Sequence, residues 1–194
     1  MINEKIAVLD FGGQYTQLIA KAVRKNGVFS EIVDCATSLD DLVDAGIKGI
    51  ILSGGPDSVY EDGAPTVDPK LFDLGIPVLG ICYGMQLTNE LLGGSVSSGG
   101  VEEYGKTDVS VDDNLLFSGL DEKIIGWMSH GDSVGSLAPG FRVIAETEHH
   151  VAAIANDERR IYGVQFHPEV THTPQGLEIV SNFVHNICGC GNEW

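Results

Sequence analysis

The sequence predicts an α/β fold: an open, mostly parallel twisted sheet with helices on both faces, followed by a β-rich second half. Three observations support this prediction. In the first half, apolar runs alternate with stretches whose apolar residues recur at helical spacing, which is the βαβ pattern of a parallel sheet. In the second half, short β-type runs follow one another. No repeat, low-complexity tract or linker divides residues 1–194, so we expect a single domain.

The first half predicts four strands and three helices. The strands are short apolar runs at 5–9, 28–33, 49–52 and 76–81. The helices are expected at 15–23, 38–43 and 85–92. Gly27 is suited to end the first helix. Ser38 is suited to cap the second, with Asp41 three residues further on, as in a capping box. The third helix is expected to close at Gly93-Gly94.

The second half predicts five more strands and one helix. The strands are expected at 106–111, 124–128, 142–147, 151–155 and 161–166. Residues 156–160 are polar and are expected to connect the last two strands as a hairpin. Apolar residues between Leu177 and Ile187 recur at helical spacing, which indicates the buried face of a final helix.

Composition excludes several classes of partner. The net charge of −17 argues against nucleic acid as a ligand, because phosphate binding needs concentrated Lys and Arg. Three explanations of the acidic composition stay open: solubility, a basic partner or a saline habitat. No apolar run approaches the ~20 residues of a membrane span, and residues 1–5 lack the apolar segment of a signal peptide. We therefore expect a cytoplasmic protein with reduced cysteines. The lone Cys188-Gly189-Cys190 pattern does not predict a metal site.

The most informative segment is Gly80-Ile81-Cys82-Tyr83-Gly84, between the fourth strand and the third helix. Flanking glycines allow a sharp strand-to-helix corner that pushes the cysteine side chain out, so we expect it to be exposed. The helix N-terminus offers positive charge and free N–H groups, which favour thiolate. Downstream, His167 and Glu169 are two residues apart and face the same side if the segment is extended. The three side chains predict a nucleophile, a base and an orienting carboxylate.

A glycine-rich loop, Ser53-Gly54-Gly55-Pro56, follows the third strand. Ligands of open α/β sheets bind beyond the carboxyl ends of the strands, so this loop is expected to meet the Cys82 corner and to present backbone N–H groups to an oxyanion. Residues 53–58 also resemble the S-G-G-x-D-S phosphate loop of ATP pyrophosphatases. Pro56 has no N–H to offer a phosphate, and the chain has no Walker sequence. We therefore expect no nucleotide site and no cofactor in this chain.

These motifs resemble those of the class I glutamine amidotransferases, over essentially all 194 residues. The Cys82 corner and His167-Pro168-Glu169 are shared across that family. The segments Asp10 to Ala20 and Val170 to Thr173 are similar, more narrowly, to the branch whose glutaminases serve GMP synthetases. Ser129-His130-Gly131-Asp132 belongs to the same pattern, although His130 by itself is expected to be a structural loop histidine.

The resemblance implies the class I glutamine amidotransferase fold in one glutaminase domain, which hydrolyses glutamine to glutamate and ammonia. It implies Cys82 as nucleophile, His167 as base and Glu169 as the orienting carboxylate. It assigns the oxyanion hole to the backbone N–H groups of Gly55 and Tyr83. It assigns the α-amino and α-carboxylate groups of glutamine to Gln86 and to the backbone around Ser129, Gly131 and Asp132.

The resemblance also implies a partner. The ammonia is passed to an ATP-pyrophosphatase subunit or domain that converts XMP to GMP, and ATP and Mg are expected on that partner. Three alternatives stay open: the glutaminase of another amidotransferase, a stand-alone cysteine hydrolase of γ-glutamyl compounds, and a non-catalytic regulatory subunit. The intact Cys82, His167 and Glu169 favour an enzyme over a regulator.

Overall fold

The computed structural model describes residues 4–194; residues 1–3, on which the expectation of no signal peptide partly rests, lie outside the described residues. Within that range there are eleven strands: β1 (Lys5–Asp10), β2 (Phe29–Asp34), β3 (Ile47–Leu52), β4 (Val78–Ile81), β5 (Val96–Ser97), β6 (Glu103–Val111), β7 (Lys123–His130), β8 (Ser133–Val134), β9 (Arg142–Glu146), β10 (Val151–Asn156) and β11 (Ile161–Val164). The α-helices are α1 (Thr16–Lys25), α2 (Leu39–Asp44), α3 (Tyr83–Leu91) and α4 (Gly176–Ser181). A π-helical turn (Asn182–Ile187) continues α4, and two 3-10 segments lie at Pro69–Asp73 and Leu115–Phe117.

Nine of these strands form one sheet in the order β2-β1-β3-β4-β11-β10-β9-β6-β7. Neighbouring strands are parallel in the first part of this order, β2-β1-β3-β4-β11. They are antiparallel in the rest, β11-β10-β9-β6-β7. The predicted fold class is therefore confirmed, with the β-rich second half built onto the edge of the parallel half. One strand of the second half, β11, joins the parallel part, where Val164 lies opposite Ile81 of β4. This pairing brings the end of β11 beside the Cys82 corner.

Helices cover both faces of the sheet. On one face, α1 and the C-terminal helix contribute Ile19, Val23, Val180 and Phe183 to a single core. On the other face, α2 and α3 contribute Leu42 and other apolar residues to a second core with the 3-10 segment at Pro69–Asp73. Among residues 4–194, no helix is long and apolar enough to cross a membrane.

The ends of several elements differ from the sequence-based expectation. The strand expected at 161–166 ends at Val164. Beyond it the chain leaves the β10 ladder, because the His167 N–H donates to the Trp127 carbonyl of β7 and Pro168 has no N–H to donate. The final helix widens to π geometry after Ser181, and Cys188 N–H reaches back to the Phe183 carbonyl at 2.8 Å. The two-stranded β5–β8 sheet and both 3-10 segments were not predicted, since each is too short to show a period.

Candidate active site

A pocket of about 530 Å³ lies beyond the carboxyl ends of β1, β3 and β4. The order β2-β1-β3-β4 sends successive connections to opposite sides of β1, which opens a crevice of the kind in which α/β proteins bind ligands. The pocket brings together eight of the nine predicted site residues: Gly55, Cys82, Tyr83, Gln86, Ser129, Gly131, Asp132 and His167. The ninth, Glu169, lies behind His167 and lines a neighbouring cavity.

Cys82 occupies the strained corner between β4 and α3. Its φ of 53° and ψ of −108° are unusual for a residue with a side chain. The backbone is anchored by Cys82 N–H, which donates to the Val164 carbonyl of β11 at 2.8 Å. No larger residue fits at the flanking glycines. A Cβ on Gly80 would lie 2.5 Å from the backbone of Gly84. A Cβ on Gly84 would collide with the Leu52 carbonyl.

The Cys82 side chain lines the pocket but is only 7% exposed, which is less than the corner position led us to expect. Loops from the second half of the chain surround it. Its sulfur lies 3.8 Å from the Ser129 carbonyl oxygen and 3.5 Å from the side-chain nitrogen of Gln165. Because Cys82 is also the N-cap residue of α3, unpaired N–H groups at the start of the helix add positive potential around the sulfur.

His167 and Glu169 form a buried pair. His167 Nδ1 lies 2.6 Å from Glu169 Oε1, and the two side chains are 7% and 1% exposed. Burial lowers the pKa of His167, but the Glu169 carboxylate and the Cys82 sulfur outweigh burial and raise it from 6.5 to about 10. The imidazole is therefore protonated at neutral pH. The pairing was predicted from an extended segment, and that reason was wrong, because residues 168–170 form a turn.

Two residues without a predicted role hold His167. The Tyr15 ring meets the imidazole edge to face, with 5.2 Å between the ring centroids. The Thr173 hydroxyl donates to the His167 carbonyl at 2.7 Å and accepts from Trp127 N–H at 3.0 Å. Both lie in the segments of narrower resemblance, which was the only sequence signal that they belong to the site.

The loops after β1 and β3 are packed so closely that they require glycine. A Cβ on Gly55 would lie 2.6 Å from the Phe11 carbonyl oxygen, and a Cβ on Gly13 would collide with the Gly54 carbonyl. The Ser53 hydroxyl ties the loops together by accepting from Phe11 N–H and donating to the Gly54 carbonyl. Over the described range, Gly55 N–H donates no hydrogen bond, and neither does Tyr83 N–H. Both donors are thus available to a ligand.

Two glutamine side chains connect the loop at 129–132 to Cys82. Gln86 Nε2 donates to the Asp132 carbonyl at 3.0 Å and to Gln165 Oε1 at 3.1 Å. Gln165 is fully buried, and its Nε2 in turn faces the Cys82 sulfur. A carbonyl only accepts hydrogen bonds, so the Asp132 carbonyl fixes the orientation of both amides. Because both N–H groups of Gln86 Nε2 are used, only its Oε1 remains for a ligand. Gln165 is a site residue that the sequence-based prediction missed.

His130 holds the same loop from the other side. Its Nδ1 lies 2.7 Å from the Asp132 carbonyl oxygen and its Nε2 lies 2.9 Å from a carboxylate oxygen of Glu103, where both side chains are buried. Both ring nitrogens are thus engaged within the protein, one by the loop carbonyl and one by the carboxylate. This geometry gives His130 the structural role expected of it.

The three other cysteines lie outside the pocket that Cys82 lines. All four cysteines are free. Burial raises the pKa of Cys35, which the Asp34 carboxylate raises further, and burial also raises the pKa of Cys188. Burial raises the pKa of Cys190 to about 11, so that it stays a thiol at neutral pH. Between residues 4 and 194, no group of three His, Cys, Asp or Glu side chains is placed to hold a metal ion.

Comparisons with known proteins agree with this geometry. A family model described as glutamine amidotransferase class-I matches residues 7–187. The chain is 53% identical to a GMP synthase (glutamine-hydrolyzing) of Caldicellulosiruptor saccharolyticus, over 100% of this chain and 38% of that protein. It is 52% identical to the Staphylococcus epidermidis protein of the same name, over 99% of this chain and 38% of the relative. The chain thus spans little more than a third of the length of these relatives.

Solved structures give the same result. A Thermoplasma acidophilum protein, described as one subunit of a GMP synthase, has a TM-score of 0.86 and 36% identity, covering 95% of this chain and 93% of that one. A glutamine amidotransferase of Thermotoga maritima has a TM-score of 0.76, with 97% and 99% covered, at 18% identity; it supports the fold alone. The family resemblance inferred from the sequence is confirmed.

Proposed function

The chain belongs to the class-I glutamine amidotransferase family, and on that premise we propose that residues 1–194 form one glutaminase domain, which hydrolyses glutamine through a Cys82 thioester. The observation that carries this proposal is the buried His167–Glu169 pair at 2.6 Å beside the Cys82 sulfur. With a pKa of about 10, His167 is an imidazolium at neutral pH and stabilises a thiolate next to it. The absence of a disulfide among the four free cysteines of residues 4–194 suits a reducing compartment, which supports a cytoplasmic location.

In the acylation step, the Cys82 thiolate attacks the side-chain carbonyl carbon of glutamine. The carbonyl oxygen becomes an oxyanion, which the N–H groups of Gly55 and Tyr83 stabilise by donating hydrogen bonds to it. His167 gives its proton to the departing ammonia as the tetrahedral intermediate collapses to a γ-glutamyl thioester. Neutral His167 then takes a proton from water, whose oxygen attacks the thioester. The sulfur departs as a thiolate while the imidazole keeps that proton, which regenerates the starting ion pair, and the new γ-carboxyl group of glutamate loses its own proton to water. Glu169 orients the ring throughout.

The remaining predicted residues bind the amino-acid end of the substrate. Gln86 offers its Oε1, and Asp132 offers a carboxylate, so both suit the α-ammonium group of glutamine. The backbone at Ser129 and Gly131 lies on the same wall of the pocket and suits the α-carboxylate. We propose no cofactor and no metal for this reaction.

We propose that the ammonia serves an ATP-dependent synthetase that converts XMP to GMP. The support comes from the GMP synthases at about half identity, of which this chain matches 38%. ATP and Mg are assigned to that synthetase, which is a separate subunit or a further domain. The loop at residues 53–58, which resembles a phosphate loop, is engaged in packing against Phe11 and Gly13 and in lining the glutamine pocket.

The test is ammonia release from glutamine by the chain alone, with synthetase, with synthetase plus XMP, and with XMP and ATP-Mg added. We expect low activity alone and at least tenfold activation in the full mixture, which requires ~1.4 kcal/mol of coupling between the two sites. Cys82→Ala in the full mixture is the control and should release no ammonia. Full activity alone that no addition changes would favour a stand-alone hydrolase. No release under any condition would reject the glutaminase assignment.

A further inference from the structure

Two hydroxyl groups from the loop after β3 hold the Asp132 side chain. Ser58 donates a hydrogen bond to Asp132 Oδ2 at 2.5 Å, and Tyr60 donates one to Asp132 Oδ1 at 2.8 Å. Each carboxylate oxygen therefore has its own donor, and the carboxylate cannot rotate about its Cβ–Cγ bond without losing both. Tyr60 is 50% exposed, so the core does not explain why its hydroxyl lies at this position.

The main chain of Asp132 is held by different groups. Its carbonyl oxygen accepts hydrogen bonds from His130 Nδ1 at 2.7 Å and from Gln86 Nε2 at 3.0 Å. These contacts fix where the residue sits but leave the side-chain torsions free. Within the part of the chain that the structure describes, Ser58 and Tyr60 are the side chains that hydrogen-bond the carboxylate. The orientation of the carboxylate thus depends on the two hydroxyls.

The held carboxylate has no cationic partner among the described side chains and keeps part of its bonding capacity. Hydroxyl donors are neutral, and no Lys, Arg or His of residues 4–194 forms a salt bridge with Asp132. A carboxylate oxygen accepts about two hydrogen bonds, so each oxygen can take one more donor. Asp132 and Ser58 line the same pocket as Cys82. A fixed, unneutralised carboxylate in that pocket matches a primary ammonium group on the substrate.

We propose that Ser58 and Tyr60 are positioning residues that hold the Asp132 carboxylate for the α-ammonium group of the substrate and so set the selectivity for α-amino amides. This inference rests on the proposed function, because it takes glutamine as the substrate. A carboxylate held in place loses less side-chain freedom when the ligand binds. The last residue of the Ser53–Ser58 motif, which resembles a phosphate loop, thereby acts in amino-acid recognition.

The experiment compares L-glutamine with glutaramate, which has the same amide and carboxylate but no α-ammonium group. Ammonia release is measured for the wild type, Ser58→Ala and Tyr60→Phe in the full mixture with synthetase, XMP and ATP-Mg. We expect KM for glutamine to rise about threefold to tenfold in each variant with kcat within about twofold. The kcat/KM for glutaramate should stay unchanged. Tyr162→Phe is the matched control, since it removes a tyrosine hydroxyl that donates to another aspartate, Asp157, outside the pocket, and it should leave both substrates unaffected.

The same measurements in an Asp132→Asn background separate positioning from a general structural role. If the hydroxyls act through the carboxylate, adding Ser58→Ala or Tyr60→Phe there should raise KM no further. Equal losses on both substrates, a fall in kcat at unchanged KM, or full additivity with Asp132→Asn would each overturn the inference. If the wild type hydrolyses glutamine and the variants match it, only this inference fails. If the wild type hydrolyses neither substrate, the proposed function fails first.

Discussion

Replacing Glu169 with glutamine removes the charge beside His167 while keeping the size of the side chain. The carboxylate lies 2.6 Å from Nδ1 and is 1% exposed, so solvent screens this interaction little. The rise in the His167 pKa from 6.5 to about 10 corresponds to on the order of 5 kcal/mol in favour of the imidazolium, at ~1.4 kcal/mol per pKa unit. Glu169 and Cys82 together cause this rise in the pKa of His167, and burial of the imidazole opposes it.

The variant should therefore be slower and should respond differently to pH. We expect kcat for glutamine to fall by about 10²-fold, within the range for a misdirected general acid–base group, and by less than in His167→Ala, which removes the proton carrier. The fold is checked by circular dichroism. A larger loss in Glu169→Gln than in His167→Ala would refute the assigned roles.

The stability of the wild type should depend on His167 in a defined pH window. The pKa of His167 is raised in the folded state, so its contribution to the free energy of unfolding is complete below pH 6.5 and disappears as the pH rises through about 10. In Glu169→Gln this decline should be smaller by a few kcal/mol (~2–4). Urea unfolding at several values between pH 6 and pH 10 measures both slopes, and titration of the other cysteines cancels in the difference. Equal slopes in the two proteins would refute the argument.

Three further predictions concern the nucleophile and its surroundings. Cys82→Ala should abolish ammonia release with the fold intact, whereas the equivalent changes at the three other cysteines should spare most activity; strong loss at one of those would mean a misplaced thiol. Gly55→Ala should lower kcat by about 10²–10³-fold, because the new Cβ would lie 2.6 Å from the Phe11 carbonyl oxygen and displace an oxyanion donor; an unchanged kcat would remove Gly55 N–H from the mechanism. Gln165→Leu should slow alkylation of Cys82 by iodoacetamide at pH 7 severalfold, since it deletes the N–H that faces the sulfur; an equal rate would show that this contact does not stabilise the thiolate.

Local patterns in the sequence were sufficient for most of the fold and for the position of Cys82 at a strand-to-helix corner. The βαβ alternation predicted the parallel strands, and the glycines around Cys82 predicted its corner, because both depend on neighbours in the chain. The meeting of Cys82 with His167 depends instead on β11 pairing with β4. That contact is long-range, and the family resemblance, rather than any period, indicated it.

The hydrogen bonds that complete the site could not be predicted from the sequence for the same reason. Gln165 reaches Cys82 across 83 positions of the chain, and Ser58 reaches Asp132 across 74. Serine, tyrosine and glutamine are also common on surfaces, where they need no fixed partner. Only the packing of four loops around one pocket gives these residues a partner. The expected exposure of Cys82 was wrong because the corner alone was considered, without the loops that cover it.

The charge of the whole chain makes local donors important for the thiolate. A net charge of −17 opposes a further negative charge on sulfur and also opposes the carboxylate of the proposed substrate. Salt screens charges beyond ~8 Å at physiological ionic strength, so distant surface acids contribute little to that opposition. The reactivity of the Cys82 thiol should therefore depend on three groups near the sulfur: the His167 imidazolium, the first N–H groups of α3 and the Gln165 amide. Neutralising exposed acids far from the pocket should therefore leave thiol reactivity nearly unchanged, whereas the loss of any one of these three near groups should lower it.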